Sequence, residues 1–119
     1  MNLTLLSDDG TLVRLQAEGQ ISQNAFHDGT DPLGPLLAPV GGFARKVMIN
    51  LDRATFLDSS GISWLVVSHK NFQQHGGVLV LHSVPPRIHQ VLQFCRMDRL
   101  LKMADDETAA EALARGGKP

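Results

Sequence analysis

The chain is poor in the residues that carry most easily read chemistry. Its single cysteine, Cys95, can close no disulfide within the chain and supplies no thiolate cluster for zinc. There is no tyrosine, one tryptophan and only 5% aromatics, too few for a platform on which nucleobases stack. Neither sign of charge prevails, since eleven Lys and Arg oppose twelve Asp and Glu for a net −1. Nucleic acid and anionic membrane surfaces select basic proteins and are not expected partners. Purely aliphatic runs stop at four residues, as in 78–81, whereas a membrane-spanning helix needs about 18. No basic stretch followed by an apolar segment and a cleavage site opens the chain. A reducing, cytoplasmic setting without membrane insertion is the expectation.

What is present describes a folded domain. Hydrophobic residues at 43% and charged residues at 19% exclude a disordered regulator. A length of 119 residues fits one domain, assigned to 1–115, with a disordered tail at 116–119. A chain of this size buries roughly two-thirds of its unfolded surface.

The apolar spacing sets the element order. Leu3 to Leu6 is a short apolar run, and Val13, Leu15 and Ala17 alternate with Arg14 and Gln16 as a half-buried strand. Asp9-Gly10 between the two runs predicts a hairpin, because glycine tolerates the positive φ of the turn. The stretch 28–42 carries four glycines and three prolines, so no long helix survives there. Leu33, Leu36, Leu37 and Val40 are spaced for one or two broken helical turns. Residues 46–52 read as a strand, with Val47, Ile49 and Leu51 on one face and Met48 on the other. Ile62, Leu65, Val66, His69 and Phe72 follow helical spacing from Ser59 or Ser60 to about Gln74, and His75-Gly76-Gly77 ends that helix. Residues 78–82 form an apolar strand of the kind buried on both faces. Pro85-Pro86 opens a helix with Ile88, Val91, Leu92 and Cys95 on its apolar stripe. Residues 100–103 predict a last edge strand, and Asp105-Asp106-Glu107 place acid at the start of a final helix.

From 46 to 95 the order alternates strand, helix, strand, helix, which implies parallel pairing. The expected fold is α/β, a mixed four- to five-stranded sheet opening with a β-hairpin and packed with α-helices. Val13, Leu15, Val47, Ile49, Leu51, Leu65, Val66, Val80, Val91 and Leu92 are expected in one core.

Most constellations reduce to structure. Gly41-Gly42 and Gly76-Gly77 lack the Lys-Ser/Thr of a phosphate loop and read as turns. The histidines at 27, 69, 75, 82 and 89 have no metal-ligand spacing, and His69 reads as a semi-buried helix residue. No metal or cofactor is expected. A hydrolase elbow requires Gly-x-Ser-x-Gly, and the chain offers Asp58-Ser59-Ser60-Gly61, for which a helix N-cap is the plain reading. No catalytic residue is assigned.

The surrounding word is more specific than a cap. Val47-Met48-Ile49-Asn50-Leu51-Asp52, followed by Phe56-Leu57-Asp58-Ser59-Ser60-Gly61-Ile62, resembles the STAS domain, the sulfate transporter and anti-sigma factor antagonist family. Its signature is an apolar strand ending in Asp, a short loop, and Asp-Ser-Ser/Thr-Gly-Leu/Ile opening a helix. The Gly-Gly-strand block at 76–82, the proline-containing helix start at 84–87, and Val91-Leu92-Gln93-Phe94 followed by Met97, Leu100 and Leu101 stand where the family has them.

The resemblance implies a non-catalytic, protein-binding regulator of transcription. In stand-alone members the first Ser after the Asp, here Ser59, is phosphorylated by a serine kinase that is also an anti-sigma factor. The unphosphorylated form binds that kinase and frees the sigma factor. The implied partner surface is Asp58, Ser59, Ser60 and Gly61 with Gln20 and Ser22 beside them, and Phe56 and Trp64 are the aromatic anchors to weigh. The alternative is a non-phosphorylated STAS scaffold or accessory module of a signalling or transporter complex. A homodimer is left open. The chain departs from the pattern where the family's Gly-Glu-Leu/Ile-Asp becomes Gly19-Gln20-Ile21-Ser22, losing both charges. It also departs where the usual first helix gives way to the stretch 28–42, and where Ser63 and Trp64 follow Gly61-Ile62.

Overall fold

The computed structural model describes residues 2–22 and 32–116. Five strands form one sheet: β1 (Asn2–Asp8), β2 (Leu12–Ile21), β3 (Lys46–Leu57), β4 (Val78–His82) and β5 (Lys102–Ala104), in spatial order β1-β2-β3-β4-β5. The pair β1–β2 is antiparallel and every other neighbouring pair is parallel. Among the described residues four α-helices accompany it: α1 (Leu33–Leu37), α2 (Ser59–Gln74), α3 (Pro86–Phe94) and α4 (Glu107–Ala114). The α/β reading with an opening hairpin agrees with this sheet. His27 and residues 28–31 lie outside the described residues, as do 117–119 of the expected tail.

The hairpin forms because two adjacent aspartates satisfy the turn's backbone. Asp8 Oδ1 accepts the Gly10 N–H at 2.9 Å, and Asp9 Oδ1 accepts those of Thr11 and Leu12 at 2.9 and 2.7 Å. Gly10 has φ 91°, where a Cβ would be strained. The Leu12 and Thr11 N–H groups favour the charged form and hold the Asp9 carboxyl at about 2.

The sheet is buried on both faces by helices from different parts of the chain. On the larger face lie Val13, Leu15, Val47, Ile49, Leu51, Leu79 and Leu81, covered by Leu33 and Leu37 of α1, Trp64, Leu65 and Phe72 of α2, and Ile88 and Leu92 of α3. On the other, Leu12, Met48 and Val80 pack under Ala110 and Ala114 of α4. The single core expected from the pattern is therefore two layers. Val80 lies in the smaller one because side chains alternate along β4, which sends Leu79 and Leu81 the opposite way. Val66 and Val91 are only half-buried, at the margins of their helix stripes.

Two further expectations change. The strand predicted over 46–52 runs on to Leu57, because β2 continues to Ile21 and pairs with it through Phe56 and Leu57. Cys95 is exposed rather than core: α3 ends at Phe94, after burying only Ile88 and Leu92. The broken turns near 33–40, the helix from Ser59 and the acid-led last helix agree with the sequence reading.

The last helix is fixed at both ends. Asp106 caps α4 by accepting the Ala109 N–H at 2.8 Å. Arg14 of β2 reaches Asp9, Glu107 and Glu111 at 3.3, 3.6 and 3.2 Å, and Arg115 reaches Asp9 and Glu111 at 3.4 and 3.2 Å. Single exposed pairs contribute little, but this set links hairpin and helix through shared charges.

His69 and His82 are buried at 4% and 2% exposure. His82 Nδ1 lies 2.9 Å from the Ser83 hydroxyl. Burial lowers the pKa of both, with Lys102 adding to the effect on His69 and Glu107, Asp52 and Asp106 opposing it on His82. The unfolded chain therefore binds more protons than the folded one between the lowered values and the ordinary imidazole value.

Three measurements test this packing. Leu65 is 1% exposed, so Leu65→Ala is expected to cost about 2–5 kcal/mol in a urea melt. Gly61 faces the end of β2, where an added Cβ would lie 2.1 Å from the Ile21 carbonyl oxygen and 2.6 Å from Leu57 Cδ1. Gly61→Ala is expected to cost about 1–3 kcal/mol or more, whereas Ser63→Ala, at an exposed position, stays within about 0.5 kcal/mol. Urea midpoints should be level above about pH 7 and fall as pH drops below about 6.5, and the double variant His69→Gln, His82→Asn should flatten that fall.

Candidate functional site

The end of β3 and the start of α2 are joined by a single residue, Asp58. Its backbone is extended at φ −114°, and its Oδ1 accepts the Gly61 N–H at 3.0 Å. The Asp58 carbonyl oxygen accepts the first intrahelical bond, from Ile62 N–H at 2.9 Å. Asp58 is thus the N-cap, and Ser59, Ser60 and Gly61 occupy the first, second and third helical positions. A short polar side chain is needed at 58 because it alone can fold back onto the third N–H of the helix.

The cap leaves the two serines in different surroundings. Ser59 is exposed and Ser60 is half-buried. Among the described residues no histidine, amine or carboxylate hydrogen-bonds the Ser59 hydroxyl, so nothing there is placed to take its proton. The turn presents a neutral hydroxyl at the positive end of a sixteen-residue helix.

The β2–β3 pairing completes the neighbourhood. Gln20 pairs with Phe56 and Ile21 with Leu57, and the Ile21 carbonyl accepts the Asp58 N–H at 3.4 Å. The end of β2 therefore abuts the helix start, and Gly61 is buried there because only hydrogen fits against the Ile21 carbonyl. Gln20 and Phe56 are exposed beside it, Phe56 at 48%. No side chain at 20 or 22 carries charge, so Asp58 is the only acid contributed by the predicted set.

Three of the predicted residues do not present a contact surface. Trp64 is 8% exposed within the larger core, because its position five residues after Ser59 turns it toward the sheet. Buried there, Trp64 cannot serve as an aromatic anchor, whereas Phe56 is exposed. Ser22 is buried at 6%, and Gly61 serves the close approach. The sequence reading missed an exposed row along α2. Ser59, Ser63 and Val67 recur every four residues on the solvent side, with Val67 at 56% exposure. The same helical period that buries Leu65 and Phe72 places this row on the opposite face.

Two shallow depressions flank β5, both lined by Met103, Ala104 and Asp105, and neither includes the Asp58 turn.

Comparison with known proteins bears on the fold and the family. BtrV of Bordetella bronchiseptica, provisionally named an anti-sigma factor antagonist, is 26% identical over 119 residues, covering 100% of this chain and 99% of the relative. The solved structure of the anti-sigma factor antagonist SpoIIAA in its unphosphorylated form superimposes with a TM-score of 0.71 at 20% identity, over 99% of this chain and 100% of that one. The phosphorylated form of the Bacillus protein gives 0.63 at 18% identity, over 94% and 99%. A sulfate transporter family protein from Wolinella succinogenes gives 0.68 at 16% identity, over 92% and 89%. At these identities the structures speak for the fold. The family model described as the STAS domain matches residues 8–110, and the chain belongs to that family.

Proposed function

We propose that this protein is an anti-sigma factor antagonist whose surface is switched by phosphorylation of Ser59. In this reading it has no catalytic activity of its own. It acts in the cytoplasm by binding an anti-sigma factor that is also a serine kinase. The observation that carries it is the placement of Ser59: exposed, first in α2, and not itself the cap.

That placement separates signalling from stability. A phosphate of about −1.5 to −2 charge meets the unsatisfied N–H groups and positive dipole end of the helix, so it is tolerated in the folded state. Asp58 has its Oδ1 committed to the Gly61 N–H, and its negative charge repels the phosphate outward. A partner surface fitted to a neutral hydroxyl then loses affinity through repulsion and desolvation. Ser60 is the weaker acceptor, because it is half-buried inside the first turn. The absence of charge at Gln20 and Ser22 favours a partner that relies on apolar contact, for which Phe56 and Val67 are the exposed candidates. SpoIIAA, whose fold this chain shares, has been solved in both forms, which supports the switch reading.

A second reading is a STAS module of a transporter or signalling assembly that is never phosphorylated. The likeness to the Wolinella sulfate transporter family protein favours it, as does the missing acid pair at the end of β2.

The two readings separate in one experiment. Native lysate is passed over immobilised wild-type, Ser59→Ala and Ser59→Asp protein, and retained proteins are identified by mass spectrometry. The switch reading expects a kinase-like partner on wild type and Ser59→Ala, and none on Ser59→Asp. Both variants should melt within a few degrees of wild type, because the cap worth about 1 kcal/mol belongs to Asp58. Equal retention on all three, or unfolding of Ser59→Asp, would transfer support to the unphosphorylated module.

A further inference from the structure

We propose that the C-terminal turn of α3 is a second docking surface, which takes an acidic, partly apolar segment of a partner protein independently of Ser59. Phe94 is 91% exposed, the most exposed large hydrophobic among the described residues, and Leu100 is 42% exposed. They flank the short 3₁₀ turn Met97–Arg99, so two apolar side chains face solvent within one compact corner. An aromatic ring left this open gains most of its burial energy only when something covers it.

The backbone at this corner gives a second, independent observation. Arg96 follows the α3 C-cap with φ 59° and ψ 23°, the left-handed conformation that usually falls to glycine. Its N–H donates to the Gln93 carbonyl at 3.0 Å, and its carbonyl accepts the Arg99 N–H at 3.4 Å. Glycine would make the same bonds without strain, so an arginine here contributes its side chain rather than stability.

Charge selects the occupant. Arg14, Arg45 and Arg115 all have carboxylate partners. Arg96, Arg99 and Lys102 are exposed, and among the described residues none of them has an ion-pair partner. Asp98 is the lone acid between 94 and 102 in a chain whose net charge is −1. Three exposed cations without ion-pair partners among the described residues, all within eight residues of an open phenylalanine, complement carboxylates interspersed with apolar side chains. A bilayer is a poorer match, because α3 has only nine residues and buries Ile88 and Leu92 in the core, leaving no amphipathic face to lay on lipid.

Topology makes the surface independent. Strands β2 to β5 all end at the Ser59 end of the sheet. Both α2 and α3 run back from that end, so Phe94 and Ser59 lie at opposite ends of the domain.

The test titrates the isotope-labelled full chain with a short synthetic peptide of Asp and Glu interspersed with Leu and Phe. A Lys-substituted counterpart peptide and vesicles of neutral and anionic lipid serve as further arms. The acidic peptide is expected to shift amide resonances at 94–102, not at 58–63, and to bind Ser59→Asp as tightly as wild type. Phe94→Ala and Arg96→Gly are each expected to weaken it about tenfold or more. Arg96→Gly should also raise the melting temperature, which separates loss of binding from loss of fold. The proposal is overturned if the peptide shifts nothing at 94–102, if both variants bind like wild type, or if Ser59→Asp abolishes binding. It is equally overturned if anionic vesicles or the basic peptide compete better than the acidic one, or if the resonances shift with protein concentration alone.

Discussion

The contact on which the site depends is the close approach between the end of β2 and the first turn of α2. Parallel pairing carried as far as Ile21 and Leu57 brings the Ile21 carbonyl within hydrogen-bond reach of Asp58 N–H. Gly61 then faces that carbonyl with no room for a Cβ. With the helix start held from below by backbone and from within by the Asp58 carboxylate, the exposed Ser59 hydroxyl carries none of these bonds. A hydroxyl can be modified without disturbing a fold only where it carries none of the fold's bonds, and this arrangement supplies such a place.

Around that contact the sheet distributes its burial unequally. The larger face receives three helices and most of the bulky side chains, whereas α4 covers the other with alanines. Small residues let α4 sit close to Met48 and Val80 but bury little area, so its attachment leans on the Asp106 cap and the arginine network at Arg14 and Arg115. The hairpin is drawn into the same network through Asp9. The first and last segments of the domain are therefore coupled electrostatically, while its centre is held by apolar packing.

The two ends of the sheet present different chemistry. At the carboxyl ends of the strands the exposed described residues near Ser59 include Gln20, Phe56, Ser63 and Val67, none of them charged, with the Asp58 carboxylate beside them. At the other end the open groups are Phe94 and Leu100 among unpaired arginines. Exposed charges at the two ends interact weakly, because in salt the field of a charge reaches only about 10 Å.

By itself the sequence determined what is local. Period-two alternation marked the strands, the 3.6-residue period marked α2 and α3, and Asp58-Ser59-Ser60-Gly61 announced a capped helix start, because each depends on neighbours a few residues away. The resemblance carried by that turn and its preceding strand was legible too, and with it the family. Tertiary structure decided what depends on distant chain. Trp64 and Ser22 are buried, Cys95 is exposed, Val80 belongs to the α4 side, and β3 extends five residues further than expected. None of these follows from spacing, because burial is set by what packs opposite: β2 for the end of β3, α4 for Val80, and the early end of α3 for Cys95. The absence of charge at Gln20 and Ser22 could be read in the chain. That Gln20 stands exposed beside Phe56 while Ser22 turns inward needed the register of two strands whose paired residues lie 36 positions apart.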